Sequence, residues 1–146
     1  NDEKVVPGLD GRKMSKSYNN VIPLLGSDKK LKKSIMKIVT NSLEPGEPKD
    51  FNDCTVFELY KYFANADEIN EFKTAYEEGI SWGDAKDKLF NIINAELSPI
   101  RSKYEDLIND PDYLNDVLGD GAKKARTLAQ EKIEKVKEVI GLTKIS

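Results

Sequence analysis

From residue 27 onward, apolar side chains recur at the three- and four-residue spacing of an amphipathic helix; before it they do not. Val5-Val6 can end a strand, Pro7-Gly8 reads as a turn, Gly11 adds a second flexible point, and Pro23 and Gly26 close the segment. Ser27 is a good N-cap for a first helix, whose stripe is Leu31, Ile35 and Ile38, widened by Met36 and Val39. Pro45, Gly46 and Pro48 predict a loop over 43–50. Thr55-Val56-Phe57-Glu58 has the form of a capping box and predicts a second helix reaching Ala64. A third helix is predicted from Asp67 to Glu78, stopped by Gly79.

Ser81, with Asp84 three residues on, predicts the start of a long fourth helix with Leu89, Ile92, Ile93 and Leu97 on its apolar side. Pro99 fits either a kink or the first turn of a new helix, after which Ile100, Tyr104, Leu107 and Ile108 resume the stripe. Asp110-Pro111 predicts a short helix ending near Gly119. A last helix follows Asp120 and runs to Ile140, with a seam of Ala122, Ala125, Ala129, Ile133, Val136 and Ile140. Phe57, Tyr60, Tyr62, Phe63, Phe72, Tyr76, Phe90, Tyr104 and Tyr113 fall on helical spacings and are expected in the core or half-buried. Trp82, the lone tryptophan, is expected to pack at the start of the fourth helix, although stacking on a nucleic-acid base is open to it. No alternating strand pattern follows residue 26. The predicted fold is an all-α helical bundle of about five to seven helices behind an irregular, glycine-containing loop.

Composition narrows the chemistry. With 146 residues, 38% hydrophobic and 34% charged, the chain is too apolar for a disordered tail and too charged for a membrane protein. It has no apolar run near the roughly 18 residues that span a bilayer. It opens Asn1-Asp2-Glu3-Lys4, without a Met or a signal-peptide pattern, and reads as a piece of something longer. The absence of histidine excludes a Ser/His triad, a histidine base and a histidine metal site. The single cysteine, Cys54, excludes an intrachain disulfide and suits a reducing cytosol. Flanked by Asp53 and Thr55, it has no activating base and reads as a structural thiol. The many carboxylates contain no tight metal-loop pattern, so no metal site is expected.

Net charge is −3, but it is unevenly spread. Residues 1–40 hold 9 Lys/Arg against 4 Asp/Glu, residues 41–122 hold 7 against 19, and residues 123–146 hold 7 against 3. The acidic middle disfavours a broad nucleic-acid surface, whereas the basic ends are candidates for phosphate contact or are simply solvated helix faces. The lysines between Lys29 and Lys37 read as the wet side of the first helix.

One segment concentrates the chemistry: Gly11-Arg12-Lys13-Met14-Ser15-Lys16-Ser17. Glycines 8 and 11 let backbone move and approach a ligand. Lys13 and Lys16 are point charges suited to phosphate oxygens, and Ser15 and Ser17 add hydroxyls. Successive loop N–H groups can form an anion nest, and Met14 can anchor the loop on apolar surface. Composition alone leaves open a basic surface turn or a linker that binds nucleic acid without specificity.

The string Lys13-Met14-Ser15-Lys16-Ser17 is the KMSKS signature of class I aminoacyl-tRNA synthetases. With Pro7-Gly8-Leu9-Asp10-Gly11-Arg12 before it and Tyr18-Asn19-Asn20 after it, the segment resembles the bacterial tryptophanyl-tRNA synthetase family. Gly83-Asp84-Ala85-Lys86, Leu97-Ser98-Pro99-Ile100-Arg101, Gly121-Ala122-Lys123-Lys124-Ala125-Arg126 and Val139-Ile140-Gly141-Leu142 resemble that family's C-terminal helical region. The resemblance implies a ligase that activates L-tryptophan with ATP and Mg²⁺ and transfers it to tRNA(Trp). It is a cytoplasmic enzyme, a homodimer at full length and not a membrane protein. By position, residues 1–26 are the KMSKS loop and its connection from a Rossmann-type catalytic domain, and residues 27–146 are the anticodon-binding region. The resemblance further implies that Lys13 and Lys16 contact the ATP phosphates, Lys16 as the main stabiliser of the transition state, while Met14, Ser15 and Ser17 complete the phosphate site. Mg²⁺ is held through the phosphates. Lys123, Lys124 and Arg126 lie in the tRNA-facing region, where phosphate contact and a solvated face are both open readings.

The family's other signature, HIGH, contains two histidines, and this chain has none. The nucleotide fold and the tryptophan pocket are also missing, so the chain alone is expected to make no adenylate. Rival readings are a free-standing helical RNA-binding module and a helical interaction domain.

Overall fold

The computed structural model describes residues 5–142. It is all-α, with five α-helices among the described residues: α1 (Asp28–Ile35), α2 (Thr55–Tyr60), α3 (Ala66–Glu77), α4 (Trp82–Ile108) and α5 (Pro111–Val139). The chain divides into two compact units, residues 1–102 and 103–146. No helix among the described residues is long and apolar enough to cross a membrane.

In the first unit, the predicted stripes become the core. Ser27 caps α1 by accepting the Lys30 N–H, which turns Leu31 and Ile35 inward. The helix stops at Ile35; Ile38 stays buried in the next turn, but Val39 is exposed and adds nothing to the stripe. The lysines of α1 face outward, and Lys32 pairs with Asp87 at 2.9 Å.

The capping box expected at Thr55 and Glu58 does not form. Thr55 is already the first helical residue, so Cys54 holds the N-cap position without a side-chain cap bond, and α2 ends at Tyr60 rather than Ala64. The box forms ten residues later. Asn65 Oδ1 accepts the Glu68 N–H at 3.0 Å, and Glu68 Oε2 accepts the Asn65 N–H at 2.8 Å. Tyr62 and Phe63 lie beyond the end of α2 and are 48% and 38% exposed, so they are not core residues.

Phe72 on α3 is the centre of the packing. Its ring lies 4.3 Å from Tyr60, 4.9 Å from Tyr76 and 5.7 Å from Phe57, centroid to centroid. Trp82 packs edge-on to Tyr76 at 5.8 Å and donates its indole N–H to Asn41. Cys54 is buried, with its Sγ 3.3 Å from the Tyr76 hydroxyl. Burial first, and that contact second, push the Tyr76 hydroxyl far above the ordinary range for ionisation.

Gly79 ends α3 with a positive φ of 86°. Its N–H bonds the Tyr76 carbonyl, and its own carbonyl accepts the Gly46 N–H at 2.7 Å. A Cβ here would stand 2.4 Å from the Gly46 carbonyl carbon, which is backbone and cannot rotate away. Gly79→Ala is therefore expected to cost at least about 2 kcal/mol, from left-handed strain and backbone displacement together. Urea denaturation of the variant measures it, and an unchanged midpoint would contradict the close approach.

Ser81 opens α4 as predicted, its hydroxyl accepting the Asp84 N–H and donating to the Asp84 carboxylate. Ala85, Leu89, Ile93 and Leu97, four apart, are buried. The helix passes through Pro99 as one element. Just beyond Pro99, buried Arg101 bonds Asp28 and Asn94, tying this turn to the start of α1.

In the second unit, the expected pair of helices is a single one. Asp110 caps α5 and Pro111 occupies its first turn, but Gly119 and Gly121 do not stop it. Neither has a positive φ, so each costs helix stability, about 1 kcal/mol relative to Ala, without breaking the ladder. No residue of α5 is buried, and the seam from Ala122 to Ile140 is exposed. Tyr104 and Tyr113 are exposed as well, contrary to the core assignment. Among the described residues of this unit, none is buried against that stripe.

Candidate functional site

The segment that carried the chemistry in sequence is a folded-back loop. Val6 accepts the Met14 N–H at 2.9 Å and Arg12 accepts the Gly8 N–H at 2.7 Å, so Pro7 and Lys13 face each other as an antiparallel bridge. The tip, Lys16–Tyr18, is one 3-10 turn capped by Ser15. Ser15 Oγ accepts the Ser17 N–H and lies 2.7 Å from Ser17 Oγ. Asn19, with a positive φ of 52°, ends the turn and sends the chain back.

What fixes this loop is Asn20, which lies just past the basic string. Its side chain is buried, 3% exposed. Oδ1 accepts the Ser15 N–H at 2.8 Å; Nδ2 donates to Asp10 Oδ1 at 2.7 Å and to the Lys13 carbonyl at 3.1 Å. Its backbone carbonyl accepts the Leu9 N–H at 2.9 Å. A Cβ on Gly8 would lie 2.3 Å from Asn20 Nδ2 and 2.8 Å from the Asn20 carbonyl oxygen, so this approach requires a glycine. The Asx-type residues Asp10 and Asn20 flanking the basic string were the available sequence signal.

Asp10 extends the arrangement. It pairs with Arg12 at 2.6 Å, and the Arg12 guanidinium stacks 4.6 Å from the Tyr18 ring centroid. The Asn20 bond first, then Arg12, hold the Asp10 carboxyl down at about 2, against an ordinary 3.8. A depressed carboxyl stabilises the loop fully above its unfolded value and loses that contribution as pH falls through the folded one. The expected result is an NMR titration of the Asp10 carboxyl with its midpoint near 2, the loop loosening between pH 3.8 and that value. A midpoint at 3.8 would show that the two bonds are absent.

The cations remain outside this network. Lys13 and Lys16 are exposed, and no ion pair or side-chain hydrogen bond engages either ammonium among the described residues. The amides differ from the expected nest. The N–H groups of Met14, Ser15, Ser17, Tyr18 and Asn19 are all spent inside the loop. The Lys13 and Lys16 N–H groups are not among these, so they stand with the two ammonium groups and the serine hydroxyls as what the loop can offer an anion. Beneath the loop, Met14 and Lys16 line an apolar groove of about 580 Å³ with Ile22, Leu59, Phe63 and Leu97. Met14 packs against the core as its anchor.

On α5, Lys123, Lys124 and Arg126 are exposed. Lys123 reaches Asp120 at 3.5 Å, and with Arg126 it borders a shallow depression that also includes Glu131 and Glu134. Among the described residues, no group of three or more His, Cys, Asp or Glu side chains converges as a metal site.

Residues 2–98 match the family model described as tRNA synthetases class I (W and Y). A relative named tryptophan–tRNA ligase from Neisseria meningitidis is 48% identical over 143 residues, 97% of this chain and 43% of the relative. One of the same name from Pseudomonas aeruginosa is 47% identical over 137 residues, 94% of this chain and 31% of its own length. The crystal structure of tryptophanyl-tRNA synthetase from Campylobacter jejuni complexed with ADP and tryptophan superposes with a TM-score of 0.89 at 43% identity. That match covers 97% of this chain and 45% of the other. The chain thus spans less than half the length of these relatives, corresponding to their C-terminal part. From the family match over residues 2–98 and the helical architecture that carries it, the chain belongs to the class I tRNA synthetases of the tryptophan and tyrosine type.

Proposed function

We propose that this chain is the C-terminal part of a tryptophan–tRNA ligase, supplying a KMSKS loop for ATP phosphates and helices for tRNA(Trp). The observation that carries the reading is the loop itself: a backbone tied down by Asn20 that presents two unengaged ammonium groups, Lys13 and Lys16. Tryptophan activation joins the amino-acid carboxylate to the α-phosphate of ATP and releases pyrophosphate. Negative charge grows on the leaving group, and preorganised cations stabilise that growth. Lys16, at the tip, is assigned this role; Lys13 neutralises charge nearer the neck. Because Ser15 and Ser17 share a hydrogen bond, the pair has one hydroxyl hydrogen left to donate to a phosphate oxygen. Mg²⁺ would be held through the ATP phosphates; among the described residues no group of three or more His, Cys, Asp or Glu offers it a ligand set. L-Tryptophan binds in the portion of the relatives' length that this chain does not span, and the full-length enzyme works as a homodimer in the cytoplasm.

Tryptophan-dependent ATP–pyrophosphate exchange tests the reading. A polypeptide of the relatives' length that carries this sequence is expected to catalyse exchange and charge tRNA(Trp), and this chain alone to do neither. If the longer polypeptide charges no tRNA, the reading falls. For the tRNA side, Lys123, Lys124 and Arg126 are assigned to phosphate contact. Each Lys→Ala change is expected to reduce the salt slope of tRNA binding by about 1. An unchanged slope returns them to a solvated face.

A further inference from the structure

The mechanism above uses the lysines and serines, but nothing in it uses the buried carboxamide behind them. Asn20 is almost wholly buried; both its amide hydrogens are used and its side-chain oxygen accepts one bond, all to groups within the loop. Two of these bonds bear on the phosphate-binding residues directly. Oδ1 holds the N–H of Ser15, the residue that caps the tip turn, and Nδ2 holds the carbonyl of Lys13. The third reaches Asp10, whose other oxygen is occupied by Arg12, which stacks on Tyr18 at the far side of the tip. One side chain therefore sets the positions of both ends of the segment between Lys13 and Ser15 and, through Asp10, braces the turn that carries Lys16.

We propose that Asn20 is a positioning residue: its carboxamide fixes the backbone from which Lys13 and Lys16 are presented to a polyphosphate. Asn20 touches no ligand itself. The inference rests on the ATP-phosphate reading of the loop for its consequence, but not for its geometry, and the two are tested separately.

The geometric arm uses this chain as it is. In Asn20→Ala the Ser15 amide loses its acceptor, so its hydrogen exchange is expected to accelerate about tenfold or more, while the α4 amides of Leu89 and Ile93 keep their protection. Protection of those core amides shows that the variant is folded. Should the variant fail to fold, Asn20→Asp is read in its place. It keeps the acceptor for Ser15 but sets a carboxylate oxygen against Asp10 and the Lys13 carbonyl, so adding Asp10→Asn, which relieves the first conflict, is expected to slow Ser15 exchange again in part. Unchanged Ser15 exchange in Asn20→Ala, or no recovery in the double variant, overturns the proposal.

The functional arm uses the longer polypeptide. Asn20→Ala is expected to raise KM for ATP and lower the exchange rate, each about tenfold, with KM for tryptophan unchanged, because misplaced contacts are felt only at the phosphates. Loss of active enzyme alone would lower the rate and leave both KM values in place, which also overturns the proposal. If wild type shows no exchange while the Ser15 amide still responds, the loop positioning stands and the ATP reading is what fails.

Discussion

Phe72→Ala is expected to unfold much of the first unit's stability, lowering it by about 3–5 kcal/mol. Phe72 is fully buried and touches three other rings, Phe57, Tyr60 and Tyr76, which come from α2 and α3. Truncation removes the ring's transfer free energy and leaves a cavity. These aromatic neighbours are themselves held in edge and tilted contacts, so they cannot slide in to fill it. The midpoint of urea denaturation measures the loss. Tyr76→Phe is the control: it keeps the ring and removes only the hydroxyl contact with Cys54, so about 1 kcal/mol or less is expected. If both variants cost the same small amount, the aromatic centre is not what holds these helices together.

Lys16→Ala, made in a polypeptide of the relatives' length, is expected to slow tryptophan-dependent exchange by 10²–10³-fold, about 3 kcal/mol, the scale of removing one aimed donor from a developing anion. The reason lies in what Lys16 does not do. It makes no ion pair or side-chain hydrogen bond among the described residues, and it contributes to the fold only by lining the apolar groove with its stem. Its replacement should therefore leave the denaturation midpoint almost unchanged while the rate falls. Lys16→Arg keeps the charge but exchanges a compact ammonium for a planar fork, and an intermediate rate is expected. A Lys16→Ala enzyme with a normal rate, or one whose loss of rate tracks a loss of stability, would remove Lys16 from the chemistry.

Much of the fold was legible because period and caps agreed. Leu31 and Ile35 on α1, and Leu89, Ile93 and Leu97 on α4, are buried where their spacing placed them. Ser27 and Ser81 cap where expected. The misreadings share a cause: local signals state what a residue can do, not which of two competing sites does it. Thr55-Glu58 and Asn65-Glu68 both have capping-box spacing, and only the chain's extended geometry at Asn65 gives that side chain an amide to bind. Gly119 and Gly121 look like stops, yet with no turn to make they are ordinary, if weak, helix positions. The seam of α5 is a true stripe by spacing, but periodicity does not say whether anything lies against it. At the loop, the basic string was legible because ligand chemistry demands those residue types. Asn20 was not, since its importance comes from a reversal of direction at Asn19 that brings it back beneath Ser15.

That reversal has its own consequence for selectivity. Amides frozen in a cradle suit an anion of one size, whereas five amides of this loop turn inward and, on the proposed reading, most of the task passes to ammonium ends on four-carbon stems. Such ends can track a phosphate chain while it splits and departs. A rigid seat would favour the intact nucleotide or its fragment, but a tethered pair of charges can follow both, with the tether bonded to Asn20 at Lys13 and Ser15.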